Sequence, residues 1–125
     1  MTTYYTIDRA NDRLPELDGM LEALRSQRDE LRELKGTYDA TEPDDDRRRL
    51  RLRMQGVVDQ MQATVARIDG WGIALRDIDT GLVDFPALVS GRQVWLCWRL
   101  GEATVGWWHG IDEGFASRRP LADLQ

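Results

Sequence analysis

The stretch GLVDFPALVSGRQVWLCWRLGEATVGWWH, residues 81–109, decides the fold. Gly81, Ser90-Gly91 and Gly101-Glu102 punctuate runs rich in valine, leucine, phenylalanine and tryptophan, the composition of β-strands. Leu82 to Val89 reads as one strand, Gln93 to Leu100 as the next and Thr104 to His109 as another. Ahead of them, Ile73 to Ile78 forms a first strand that closes at Asp79-Thr80-Gly81. Gly101-Glu102 suits a two-residue hairpin turn with glycine first. Pro86 has no amide proton to give to a ladder, so its strand is an edge or carries a bulge there.

These turns predict a register. A Gly101-Glu102 loop pairs Leu100 with Ala103 and Trp98 with Val105. Side chains opposite each other share a face. One face then carries Val94, Leu96, Trp98, Val105, Trp107 and His109, and covers the rest of the protein as core. The other carries Trp95, Cys97, Arg99, Thr104 and Trp108. The Ser90-Gly91 turn sets Phe85 opposite Leu96 and Asp84 opposite Cys97. Asp84 and Arg99 become diagonal neighbours. A slip of one residue would flip every assignment on the affected strand.

Upstream the periodicity changes from two to that of a helix. Ile7, Ala10, Leu14, Leu17, Leu21, Leu24 and Leu31 recur at alternating spacings of three and four, a heptad-like seam. Thr6 caps this helix, Asp8 suits its first turn, and Lys35-Gly36 is its expected end. Pro15 is expected to kink or restart it. A second helix begins near Thr41-Glu42-Pro43-Asp44, with Thr41 as cap. Its stripe is Leu50, Met54, Val57, Met61, Val65 and Ile68, and Gly70 can end it. The short connection makes the two helices antiparallel neighbours. The expected class is therefore α+β: a long antiparallel helical hairpin followed by a small antiparallel β-meander. A single domain of residues 1–125 is expected, with the hairpin in 1–70 and the tryptophan-rich sheet and tail in 71–125. All five tryptophans lie after residue 70.

Composition narrows the function classes. The 125-residue chain carries a net charge of −5, so its overall field does not favour nucleic acid or an anionic membrane. No apolar run is long enough to span a bilayer. The polar opening residues do not resemble a signal peptide, and the single cysteine, Cys97, fits a reducing compartment. A cytoplasmic protein is the expectation. Arg47-Arg48-Arg49-Leu50-Arg51-Leu52-Arg53 is the strongest nucleic-acid feature, with Arg118-Arg119 a smaller patch. Asp44 and Asp45 precede Arg48 and Arg49 by four residues and would neutralise part of the run.

Candidate site residues cluster in the sheet. Asp84, Trp95, Arg99, Glu102, Trp108 and His109 are the expected ligand-binding set, with Arg99 holding a small anionic ligand between tryptophan walls. The competing structural reading is an Asp84–Arg99 ion pair under tryptophan cover. Cys97 and His109 are the only cysteine and histidine, and the predicted register separates them onto opposite faces. Asp112 and Glu113 could complete a carboxylate-rich set for a harder metal or supply acid–base chemistry with His109, but the expectation is no metal, no cofactor and no catalytic residue.

Gly81-Leu82-Val83-Asp84-Phe85-Pro86-Ala87, Leu96-Cys97-Trp98-Arg99-Leu100-Gly101-Glu102, Trp108-His109 and Gly114-Phe115-Ala116 together resemble an uncharacterised prokaryotic family, domain of unknown function 2203. Tyr5-Thr6, Ala10-Asn11 and Leu14-Pro15-Glu16-Leu17 are similar to the opening of that family. The tryptophan pair Trp107-Trp108 departs mildly from the phenylalanine–tryptophan expected before the histidine. The resemblance implies the hairpin-plus-sheet fold and a prokaryotic cytoplasmic origin. It implies no activity. Three readings follow. The first is a non-catalytic binding or protein-interaction module acting as a homodimer, with Leu34, Leu52 and Val58 facing a partner. The second is a small enzyme or a metal- or ligand-binding protein using Asp84, Arg99, Glu102 and His109, joined by Asp112. The third is an RNA- or ribosome-associated factor using the Arg47–Arg53 face.

Overall fold

In a computed structural model, which describes residues 3–124, two long helices precede a five-stranded antiparallel sheet. The outermost residues of the expected 1–125 unit, Met1, Thr2 and Gln125, lie outside the described residues.

Helix α1 spans Ile7–Ala40 and α2 spans Asp45–Gly70. Thr6 caps α1 as expected, its hydroxyl accepting from the Arg9 amide at 3.1 Å. The helix runs through Pro15 and continues past Gly36, and at 1.5 Å per residue its 34 residues reach about 51 Å. Contact across the hairpin explains the extra turn. Arg47 of α2 lies over the Tyr38 ring at 4.1 Å, and Arg51 donates to its hydroxyl at 3.1 Å. That packing outweighs the weak helix propensity of Gly36. The cap of α2 is Asp44 rather than Thr41. Its carboxylate accepts from the Asp46 and Arg47 amides, so Thr41 instead closes α1.

The strands are β1 (Ala74–Asp77), β2 (Leu82–Val89), β3 (Arg92–Arg99), β4 (Trp107–Gly110) and β5 (Arg119–Pro120), in that spatial order. The sequence reading lacks β5. Ser90 and Gly91 both take positive φ, 52° and 77°, the backbone of a type I′ turn. The β2–β3 register follows: Phe85 faces Leu96 and Asp84 faces Cys97, as predicted. Pro86 lies on an interior strand, yet β1 ends its pairing at Asp84. The Pro86 carbonyl accepts from the Tyr5 amide at 2.7 Å, so its donor-less nitrogen faces a local edge.

The β3–β4 register is shifted by one residue from the prediction. Leu96 faces Trp108 and Cys97 faces Trp107. Gly101-Glu102 is not a complete hairpin loop, because the chain leaves the sheet until Trp107. The Val105 amide is held by the Asn11 side chain of α1 at 2.8 Å, and the Trp98 indole donates to the Glu102 carbonyl at 2.9 Å. This excursion toward the helix absorbs the residue by which the register slips.

The core lies between the hairpin and one face of the sheet. Val83, Phe85, Ala87, Val94, Leu96, Trp98 and Trp108 cluster with Ala10, Leu14, Leu17, Leu21, Leu24 and Ile68 of the helices. Tyr5 closes one end, edge-on to Phe85 at 5.2 Å between ring centroids. No described helix is long and apolar enough to cross a membrane.

Candidate functional site

The outer face of the sheet, opposite the helices, carries the unusual chemistry. Strand alternation from the observed register places Asp84 and Pro86 of β2, Trp95, Cys97 and Arg99 of β3, and Trp107 and His109 of β4 on it. The one-residue shift thus exchanges the expected positions of Trp107 and His109 with that of Trp108. Trp108 belongs to the core, and His109 joins Cys97 on one face, where the sequence reading separates them.

Asp84 is at the centre and is 3% exposed. Its Oδ2 accepts from Arg76 Nε at 2.9 Å and lies 3.0 Å from His109 Nε2. Its Oδ1 is buried with no hydrogen-bond partner among the described residues. The expected Asp84–Arg99 pair does not form. The bulge between Leu75 and Asp77 turns Arg76 toward Asp84, and Arg76 also lies over the Trp95 ring at 4.8 Å. Arg99 stays exposed, over Phe115 at 5.2 Å.

His109 is 1% exposed, and both ring nitrogens face oxygen. Nδ1 lies 2.9 Å from the Gly110 carbonyl. A carbonyl can only accept, so Nδ1 carries a proton and Nε2 is turned toward Asp84. Cys97 lies beside them. One ligand atom from each of Asp84, Cys97 and His109 falls within 4.8 Å of the others. Burial pushes the Cys97 thiol up to about 11; Arg118 opposes the rise and Asp84 adds to it. An unassisted thiol in that state is a weak nucleophile.

A second ion-paired group borders this centre. Arg118 is held by both oxygens of Glu102 and reaches Cys97 Sγ at 3.8 Å. Its guanidinium also covers Trp107 and Phe115, each at 4.5 Å. Burial raises the Glu102 carboxyl, but the hydrogen bonds from Arg118 and the Arg99 amide outweigh it, and the net displacement is below the ordinary value. Asp84 opens onto a cleft of about 390 Å³ lined by Arg76, Leu82, Ile111, Asp112, Glu113 and Phe115. Glu113 is fixed by the Gly110 amide and Arg119.

Of the expected set, Asp84, Trp95 and His109 meet on one face, and Glu102 joins them through Arg118. Arg99 points elsewhere, and Trp108 lies in the core. Arg76, Cys97 and Arg118 complete the cluster and are absent from the expected site. The Asp84–Cys97 pairing already pointed to Cys97, while the β1 bulge obscured Arg76.

The arginine run is largely occupied by its own fold. Arg47 and Arg51 engage Tyr38, Arg49 pairs with Asp46, and Arg53 pairs with Glu30. The expected pairs from Asp44 and Asp45 to Arg48 and Arg49 do not form, because Asp44 caps the helix and Arg49 pairs with Asp46 instead.

Residues 3–121 match the family model described as an uncharacterized conserved protein, DUF2203. The chain belongs to this family. No curated protein and no solved structure matches it.

Proposed function

We propose that the protein is a non-catalytic binding module whose binding centre is Asp84, which lines the outer-face cleft, with Cys97 and His109 buried beside it. The observation that carries this reading is the unpartnered Asp84 Oδ1. A buried carboxylate oxygen without a donor costs free energy, and a ligand that supplies the missing partner recovers it. Of the carboxylates lining the cleft, Asp84 is paired with Arg76 and Glu113 with Arg119, and Asp112 together with the unpartnered Asp84 Oδ1 favours a cationic group over the small anion expected for Arg99. Binding is favoured over catalysis because His109 is enclosed on both nitrogens and the Cys97 thiol is held protonated by burial. A reducing, cytoplasmic setting suits a lone thiol in such a centre.

Native mass spectrometry of protein purified without additives tests the reading. Retained or added ligand mass on the wild type, lost in Asp84→Asn, is the expected result. Equal adducts on both proteins would place binding elsewhere.

A homodimer is supported by a separate observation. An apolar groove of about 690 Å³ runs between the hairpin and β1, lined by Leu31, Val58, Met61, Val65, Ile73 and Leu75. Leu52, also expected to face a partner, is 65% exposed on α2 but does not line this groove. Leu34, expected to face a partner, is buried within the chain and takes no part. Sedimentation equilibrium should show a dimer that Val65→Arg dissociates; a wild-type monomer at high concentration would remove this reading. The occupied arginine face favours either protein contact or ligand binding over the RNA-associated reading.

A further inference from the structure

We propose that Asp84, Cys97 and His109 bind one divalent transition metal ion of borderline softness, zinc(II) being the natural candidate. The inference deepens the binding-module reading and rests on it.

The donor set is a thiolate sulfur, an imidazole nitrogen and a carboxylate oxygen. That combination suits zinc and its neighbours more than calcium or magnesium, which prefer oxygen alone. The three residues come from β2, β3 and β4, adjacent strands of one sheet, so the fold itself fixes their spacing. Their ligand atoms lie within 4.8 Å of one another. The Asp84–His109 contact is 3.0 Å, and tetrahedral bonds to zinc place nitrogen and oxygen ligands about 3.3 Å apart. Sulfur would sit about 3.6 Å from each of the other two ligands, so the set, which spans up to 4.8 Å, contracts by up to about 1 Å on binding.

Three further observations point the same way. His109 Nδ1 donates to the Gly110 carbonyl, the support that metal-binding histidines use to aim the other nitrogen. Nε2 is thereby turned toward the Asp84 carboxylate, 3.0 Å from Oδ2. Asp84 Oδ1 is buried and unpartnered. Arg118 can donate to the Cys97 sulfur and opposes the rise that burial imposes on the thiol, and Glu102 balances its charge. Binding replaces the S–H bond of Cys97 by a sulfur–metal bond and releases one proton to solvent. Three protein ligands leave a fourth position for water.

Cobalt(II) alone, added to chelator-stripped wild-type protein, is the probe. One equivalent should produce d–d bands of a four-coordinate ion together with a thiolate-to-cobalt charge-transfer band. Cys97 is the only cysteine in the chain, so that band can arise from no other thiolate. Zinc(II) should abolish the bands by displacement. Cys97→Ser should lose the charge-transfer band, and His109→Gln should bind at least roughly tenfold more weakly. The wild-type spectrum decides the matter even if a variant fails to fold. A spectrum of hydrated cobalt(II), or binding without the thiolate band, would overturn the metal site. If cobalt(II) gives no band while a small molecule still binds wild type and not Asp84→Asn, the metal falls and the binding module stands. If neither binds, both fall.

Discussion

Asn11→Ala should cost about 1–2 kcal/mol, and the reason lies in the strand connection rather than in the helix. Val105 is 3% exposed, and its amide finds its acceptor in Asn11 Oδ1 at 2.8 Å. Removing the acceptor leaves a buried donor unpaired, a loss of about 1–3 kcal/mol. Alanine is the better helix former by up to about 0.7 kcal/mol, which offsets part of it. For a chain of this size each kcal/mol moves Tm by roughly 3–6 °C, so the midpoint should fall by about 3–12 °C. Urea denaturation followed by circular dichroism gives the free energy, and hydrogen exchange gives the location. The Val105 amide should exchange faster, while Leu96 and Phe85 in the sheet change with global stability only. A variant within about 0.5 kcal/mol of wild type, the range of ordinary surface substitutions, would refute the claim that Asn11 anchors the excursion.

Gly81→Ala should lose about 1–3 kcal/mol, because φ is 66° and the new Cβ would meet Leu100 Cβ at 2.5 Å. Chemical denaturation checks it, and near-wild-type stability would show that the β1–β2 turn can relax. Glu102→Gln should reduce stability by up to about 3 kcal/mol at neutral pH by weakening the Arg118 pair. The folded carboxyl of Glu102 lies below its ordinary value, so its contribution is present above the unfolded value and is lost as pH falls through the folded one. The gap between wild type and variant should therefore close in acid. A gap that stays constant or widens on acidification would contradict the assignment of that shift to the Arg118 pair.

The helical hairpin and the β2–β3 pairing were legible because each rests on local rules. Apolar spacing sets the helices, and Ser90-Gly91 sets a turn whose backbone only a few residues adopt. The β3–β4 register was not legible, because it depends on Asn11, 94 residues away from Val105. No short-range pattern reports that contact. The consequence falls on the site: one residue of slip moves His109 from the core to Cys97 and sends Trp108 the other way. The bulge in β1 had the same effect on Arg76, which takes the place expected for Arg99 beside Asp84. The extension of α1 past Gly36 was missed for a related reason, since Tyr38 is stabilised by arginines of the other helix.

The energetics of the outer face connect its stability to its function. A buried ionic network is in general no more stabilising than well-packed apolar side chains of similar volume. Asp84 is offset by Arg76, but that side chain is 44% exposed and solvent screens its charge. Oδ1 has no hydrogen-bond partner among the described residues. The folded state thus carries a local cost that a bound cation would reduce. A cation that binds only the folded chain stabilises it by about 2.7 kcal/mol at a hundred times its Kd. Tm should then climb with the logarithm of cobalt(II) or zinc(II) concentration, and Asp84→Asn should abolish the climb. A purely structural network of Asp84, His109 and Arg76 predicts a Tm that is indifferent to either ion, so the slope of one melting series separates the two.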